Sequence, residues 1–396
     1  MENIQQSRNF ARLAMAHAVK VGGRLPLLVV EQKFNLVSVA VINYNYGQFV
    51  REAVNSALAQ SYSPIEVVVV DDGSTDDSLT VLEEFSQRIL VVRKDRGGHV
   101  SALNAGASAS QGEVIIFLDA DDRLRPDCVS KVMRVWRYGL SKVQFRLNTI
   151  DAEGVDQGLP FPHYSISLSH DQIRQRALRF GYYPWPVSSG NAYAREFVKN
   201  VIPIDPERIF KSQDKFLNKM APLFGDVAVI NEVLGDYRVH DRNAWAQWGR
   251  RINRETYARS VRFDAVLHAE FREMAARLGF CVDAYLDQPV PQWVKTRLLS
   301  YRLRREIHPI PNDTRWKILK LGARSATVAP GINLFGRLSW IAWLSLVTIL
   351  HRLLWLRLLV RGRAQSHRSR IAQVLVSWVQ SAIIRASVCS SYVLCY

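Results

Sequence analysis

From Leu36 onward the chain alternates apolar runs with amphipathic stretches, each joined by a short polar turn. LVSVAVINYN (Leu36–Asn45) predicts a strand, and QFVREAVNSALAQS predicts a helix with Phe49, Val50, Val54 and Leu58 on one side. Tyr62-Ser63-Pro64 breaks that helix. A second strand is expected at Ile65–Val70, followed by a helix opened by DDGSTDDS, whose Ser and Asp residues are ready N-caps. Arg88–Val92 predicts a short third strand, GGHVSALNAGASAS a glycine-led helix, and Val114–Leu118 a fourth strand. Pro126 and Asp127 start the next helix. Continuous β-branched runs such as Val67–Val70 read as strands buried on both faces. Strands and helices in alternation, with short connections, imply right-handed crossovers and an α/β doubly wound, mostly parallel sheet.

Beyond about residue 140 the alternation loosens. Lys142–Asn148 and Val227–Ile230 predict further strands, separated by loops at Gly158–Pro162 and Tyr182–Asn191. Residues 251–325 read as helical and charged, and residues 1–34 as a helical, mildly basic lead-in. The expected organisation is an N-terminal extension (1–34), a catalytic α/β domain (35–250), a helical accessory region (251–330) and a basic apolar tail (331–396).

The tail holds the most apolar stretch, residues 332–360. Its charge-free core, Leu338–His351, has 14 residues, whereas a spanning helix needs about 20. Arg337, Arg352 and Arg357 would have to snorkel. A helix lying in the membrane interface is favoured over a tilted span or a helix docked on the protein's own core. A second uncharged run, Ile371–Ile384, has the same character.

Composition adds two constraints. With 48% hydrophobic and 22% charged residues among 396, the chain is that of a folded protein. Its net charge of +16 is concentrated at the end: from residue 314 onward there are 12 Lys and Arg and no Asp or Glu. Because these cations are interleaved with aromatic and aliphatic runs, an anionic membrane surface is the expected partner, and nucleic acid is not. Cys128, Cys281, Cys389 and Cys395 lack metal-type spacing and suit a reducing compartment. The first 20 residues have no apolar core of the signal-peptide kind, so export is not expected. The expected location is cytoplasmic, peripheral on the inner face of the cell membrane.

The candidate chemistry lies in two acidic clusters, each directly after a strand. Asp71 and Asp72 follow the valine run, and Asp119, Asp121 and Asp122 follow Val114–Leu118. Ligands of open α/β sheets bind beyond the carboxyl ends of such strands. Carboxylates gathered there repel one another unless a cation or ligand donors lie between them. A metal and a polyhydroxylated or phosphorylated ligand in one cleft is the natural reading.

Six ordered strings carry a resemblance: VAVINYN (Val39–Asn45), VVVDDGSTDDS (Val68–Ser78), GGHVSALNAGASASQGEVIIFLDADD (Gly97–Asp122), SSGNAYARE (Ser188–Glu196), SQDKFL (Ser212–Leu217) and LGDYRVHDRNAW (Leu234–Trp245). Together they resemble the family 2 glycosyltransferases, inverting enzymes of GT-A fold that use nucleotide-activated sugars. The resemblance implies that Tyr44 stacks on the nucleotide base and Asp72 accepts from it. It also implies that Asp119 and Asp121 form the family's DxD motif. Asp121 would ligate Mn²⁺ or Mg²⁺, and Asp119 would meet the ribose or, through water, the metal. It makes Asp214, in a Gln213-Asp214 pair where the family usually has Glu-Asp, the general base that takes the acceptor's proton. His240 falls near the diphosphate and the metal. Arg238 reads as a diphosphate contact or, equally, as a surface ion-pair partner. Trp185, Ser189, Gly190 and Asn191 fall on the donor-sugar and acceptor loop. Asp122 reads as a further contributor or as a cap of the turn before Pro126.

The function so implied is transfer of a sugar, expected to be UDP-linked, to a glycan or lipid-linked acceptor during cell-surface polysaccharide or lipopolysaccharide-type biosynthesis. A dinucleotide oxidoreductase is disfavoured because no GxGxxG follows the first strand. A nucleotidyltransferase is disfavoured because no glycine-rich basic loop precedes Tyr44. The alternative is a glycan- or nucleotide-binding protein that keeps the fold without turnover.

Overall fold

Val67–Val70 are buried on both faces because their strand has neighbours on either side and helices above and below. The computed structural model describes residues 36–162, 168–209, 213–243, 254–282, 291–303, 305–328 and 334–349. The expected lead-in (1–34) and the run Ile371–Ile384 lie outside them.

The strands are β1 (Val37–Asn43), β2 (Ile65–Asp71), β3 (Leu90–Arg93), β4 (Val114–Asp119), β5 (Arg123–Leu124), β6 (Leu140–Ile150), β7 (Asn191–Ala194) and β8 (Asp226–Arg238). They form one sheet in the order β3-β2-β1-β4-β7-β6-β8-β5. β1 to β4 are mutually parallel, β7 runs antiparallel to both β4 and β6, and β6 is parallel to β8. This is the mostly parallel α/β class that the sequence predicts, followed by a helical region.

The helices are α1 (Gly47–Leu58), α2 (Ser78–Glu83), α3 (His99–Ala109), α4 (Cys128–Val135), α5 (His170–Phe180), α6 (Arg195–Val201) and α7 (Gln213–Phe224). After the sheet come α8 (Arg254–Arg277), α9 (Pro291–Leu303), α10 (Arg315–Val328) and α11 (Leu334–Ile349). Side chains of alternate residues leave the sheet on opposite faces. Val39, Val41, Val67, Val69, Ile116 and Leu118 therefore pack with α1, α2 and α4, while Ala40, Ile42, Val70, Ile115 and Phe117 pack with α3, α6 and α7. Each fully buried valine contributes roughly 1.5 kcal/mol or more of transfer free energy.

Two sequence expectations change. The Asp residues of DDGSTDDS do not cap the helix they precede in the simple way: Asp77, at the N-cap of α2, makes no side-chain cap bond. Asp76 instead accepts from Ser78 N at 3.0 Å and from Gly47 N at 2.9 Å, so one carboxylate ties the starts of α1 and α2 together. The expected boundary near residue 250 also gives way, because Phe263, Leu267 and Phe271 of α8 complete the same core as α7.

The remaining helices have their own small core. Trp340 and Leu344 of α11 pack with Val294, Leu298 and Ile318, and Trp340 Nε1 donates to Gly322 O at 3.1 Å. Beside it, Arg297 grips Asp313 through both nitrogens of its fork at 2.5 Å, and His308 lies 3.0 Å from the same carboxylate. The expected tail helix is thus docked along one face. Its residues beyond 349 lie outside those described.

Candidate active site

The ends of β1, β2 and β4 face the same edge, as parallel pairing in register requires. Asn43 closes β1 and donates to Asp71 Oδ1 at 2.8 Å, while Asp71 Oδ2 accepts from Ser74 N at 3.0 Å. Gly73 makes this turn feasible: its φ of +74° suits glycine, and a Cβ there would lie 2.8 Å from Arg96 N.

Asp72 is buried and its oxygens gather the loop after β3. Oδ1 accepts from Lys94 Nζ at 2.5 Å and Gly97 N at 2.9 Å, and Oδ2 from Gly98 N at 2.7 Å. A carboxylate has about four acceptor sites, so capacity remains for a further donor. Tyr44 stands next to this loop with the Arg96 guanidinium 4.5 Å from its ring centroid, a cation–π contact on one face of the ring.

Asp119, Asp121 and Asp122 form a tight turn after β4, with Asp122 N donating to Asp119 O at 3.0 Å. Asp121 Oδ2 lies 3.0 Å from His240 Nε2 and accepts from Asn243 Nδ2 at 3.1 Å. Arg242 N lies 3.2 Å from His240 Nδ1. Burial raises the pKa of Asp121; the bond to His240 opposes this and the charge of Asp119 reinforces it. Asp122 is pushed well above the ordinary carboxylate range by burial and then by Asp121 and Asp119.

Asp122 does more than cap the turn before Pro126. It accepts from Ser189 Oγ at 2.6 Å and from Arg238 N at 2.9 Å, bolting the turn to a short 3₁₀ segment (Ser188–Gly190) and to the end of β8. Ser189 Oγ also accepts from Asp119 N at 3.1 Å. Gly190 is required by close approach, since a Cβ would sit 2.5 Å from Pro186 Cβ. Asn191 turns inward and donates to Val187 O at 2.7 Å. Trp185 is buried against Tyr182 and Tyr183, with ring centroids 4.8 and 5.0 Å away. The predicted loop does reach the acidic turn, but the side chains of Trp185, Ser189 and Asn191 brace it from within.

Arg238 requires a correction. Its Nε donates to Asp121 O at 2.8 Å, Nη1 to Ala152 O at 3.0 Å, and Nη2 pairs with Glu52. The guanidinium is 2% exposed and lies over the Phe49 ring. It holds the backbone of the acidic turn from behind and does not face the cleft, so the diphosphate contact expected of it is not available.

Asp214 occupies the first turn of α7 and is half-buried. Burial raises its pKa; Lys215 and His99 lower it, and Asp119 adds to the rise, so this carboxyl shares a field with the turn after β4. His99, the first residue of α3, contacts the turn. Its Nε2 is 2.9 Å from Asp119 Oδ1. Burial pulls the His99 pKa down, but Asp119, Asp214 and Asp121 outweigh that and the net shift is upward. Sequence reading did not single out His99; the signal was a histidine directly after Gly97-Gly98 at a helix start. Asn243, three residues after His240, was missed for the same want of a local pattern.

Compared with known proteins, residues 38–188 match the family described as glycosyl transferase family 2. A glycosyltransferase of Nostoc sp. is 34% identical over 214 residues, covering 52% of this chain and 66% of that protein. The hyaluronan synthase of Pasteurella multocida is 29% identical over 244 residues, covering 58% of this chain and 24% of that one. The chain therefore spans at most 66% of the length of these relatives. Among solved structures, S. aureus TarS 1-349 with UDP-GlcNAc aligns at TM-score 0.49 and 16% identity, over 78% of this chain and 86% of that one.

Among the described residues, no group of three or more His, Cys, Asp or Glu is gathered to hold a cation alone. The pair Asp121 and His240 nevertheless fits one. A hard carboxylate oxygen and an imidazole nitrogen converge beside Asp119 and Asp122, and burial disfavours the charge of Asp121 and Asp122. Mn²⁺ and Mg²⁺ need only one or two protein ligands when phosphates and water complete the shell.

Proposed function

We propose that this protein is a glycosyltransferase that moves a sugar, with inversion, from a nucleoside diphosphate (UDP as the expected carrier) to a glycan or lipid-linked acceptor in cell-surface polysaccharide or lipopolysaccharide-type biosynthesis. The observation that carries the reading is the Asp119–Asp122 turn at the shared edge of β1, β2 and β4, where Asp121 lies 3.0 Å from His240 and Asp119 lies 2.9 Å from His99. Tyr44 and Asp72 receive the nucleotide at the ends of β1 and β2, and Asp119 receives its ribose. Asp121 and His240 hold a divalent cation, which supplies neutralisation of the departing diphosphate. Asp214 accepts the proton of the attacking hydroxyl. The likeness to a hyaluronan synthase supports a polysaccharide setting.

A thermal-shift screen of UDP- and GDP-sugars with Mn²⁺ tests this. A true donor at 100 times its Kd adds about 2.7 kcal/mol of stability, and slow release of nucleoside diphosphate should accompany it. No shift with any sugar would sink the donor reading. A shift without release would leave a binding protein of the same fold.

The tail supports a site on an anionic membrane at the cytoplasmic face. No helix among the described residues is long and apolar enough to cross a bilayer. Trp316, Leu334 and Leu338 are nonetheless 65%, 73% and 58% exposed, in a stretch rich in Arg and Lys. The protein should sediment with vesicles containing anionic lipid, and salt should remove only the electrostatic part. Leu338→Asp should weaken this by about an order of magnitude. Indifference to such vesicles would refute the assignment.

A further inference from the structure

Behind the acidic site, a lysine is sealed into the sheet. Lys142 lies on β6, opposite Tyr193 of β7 and Val227 of β8, and is 0% exposed. Among the described residues it makes no ion pair with a carboxylate. Its Nζ donates instead to Asn218 Oδ1 and faces the rings of Tyr183 and Tyr193, whose centroids are 5.2 and 6.0 Å away. Both tyrosines grip the same asparagine: Tyr183 OH donates to Asn218 O at 2.6 Å and Tyr193 OH to Asn218 Oδ1 at 3.3 Å. Asn218 Nδ2 completes the cage by donating to Pro186 O at 3.2 Å.

A buried lysine with no carboxylate partner is costly, and apolar side chains of the same shape commonly serve stability as well or better. The cage therefore calls for a role other than stability. Asn218 is four residues after Asp214 on α7, one turn along the same face of the helix. Whatever fixes Asn218 fixes the rotation of that first turn. The two sites also share a field: burial drives the Lys142 pKa well down, and the Asp214 charge is what works against it.

We propose that Lys142 is the positioning residue for Asp214: through Asn218 it sets the rotation of α7 and hence the aim of the carboxylate. The inference rests on Asp214 being the base. Lys142 touches no substrate, and its effect belongs in turnover, not in donor affinity.

The test uses the full chain, with UDP and Mn²⁺ as the binding probe and release of nucleoside diphosphate from the sugar chosen by the screen as the activity. Lys142→Met should lower kcat about 10- to 100-fold, the scale of a 1 Å misplacement, with UDP affinity unchanged. Lys142→Met/Asn218→Leu replaces the polar pair by apolar side chains of similar shape, so it should fold, and its kcat should be no lower than that of the single variant, because the two act as one unit. Three outcomes would overturn the proposal: wild-type kcat in Lys142→Met, a parallel loss of UDP affinity, or additive losses in the double variant. Asp214→Asn is run beside them. If it retains activity, the base reading itself fails; if it alone loses activity, only the role of Lys142 fails.

Discussion

Asp121→Asn is expected to lower turnover by on the order of 10³-fold and to remove the Mn²⁺ dependence of nucleotide binding. The amide still offers an oxygen to His240 Nε2 and Asn243 Nδ2, both of which now converge on Asp121 Oδ2. What disappears is the charge. A cation that neutralises a departing diphosphate is worth several kcal/mol, and 1.36 kcal/mol is a factor of ten in rate. Asp121→Ala should be equally inactive and less stable. It strands a buried imidazole nitrogen and a buried amide, at about 1–3 kcal/mol for each unsatisfied group. Relief of the repulsion from Asp119 and Asp122 offsets part of that cost. Calorimetry with UDP and Mn²⁺ separates the two effects. A variant Asp121→Asn that binds UDP with the same Mn²⁺ dependence as the parent would remove Asp121 from the metal site.

Arg238 and Asp121 show what the sequence could and could not say. Asp121 was legible because its surroundings are local: an apolar strand, then three carboxylates in four residues, at the end of the sheet where ligands bind. Arg238 was misread because its partners are remote. Asp121 O, Ala152 O and Glu52 come from three different segments, and only the folded chain brings them to one guanidinium. An arginine near a histidine motif looks like a phosphate ligand until its donors are traced. The same applies to Ser189 and Asn191, whose side chains bond to Asp122 and Val187 within the protein.

The strands follow a similar rule. β1, β2 and β4 are buried on both faces along most of their length, so their sequences are nearly continuous apolar runs, interrupted only at Ser38 and Glu66 before their polar ends, and these reveal the element type. β8 was expected over only Val227–Ile230, yet it extends to Arg238. Its second half carries Asn231 and Glu232, which are exposed, Asp236, which pairs with Arg123 of β5 and Arg125, and Arg238, which pairs with Glu52 of α1. Periodicity has little to register there, because pairing with β6 and β5 holds the strand in place of a two-sided core.

Asp214→Asn should be the cleanest loss of all, because it keeps the shape of the side chain and removes only its basicity. A general base contributes typically 10²–10⁴-fold, so kcat should fall by about that much while affinity for UDP and Mn²⁺ holds. The pH dependence gives the independent check. Burial raises the Asp214 pKa, and the base works only when deprotonated, so parent kcat should begin to fall, as pH drops, above the range of an ordinary carboxylate. The limb belonging to Asp214 should vanish in the variant. Stability should move the other way. A carboxyl whose folded pKa lies above its unfolded value binds its proton more tightly in the native state. Its stabilising contribution is therefore present below the unfolded pKa and lost as pH rises through the folded one. At neutral pH the charged Asp214 is a burden that asparagine does not carry, and Asp214→Asn should melt at or slightly above the parent temperature. Unchanged turnover would strike Asp214 from the mechanism. A loss of activity that tracks a loss of UDP affinity would instead place it among the donor contacts.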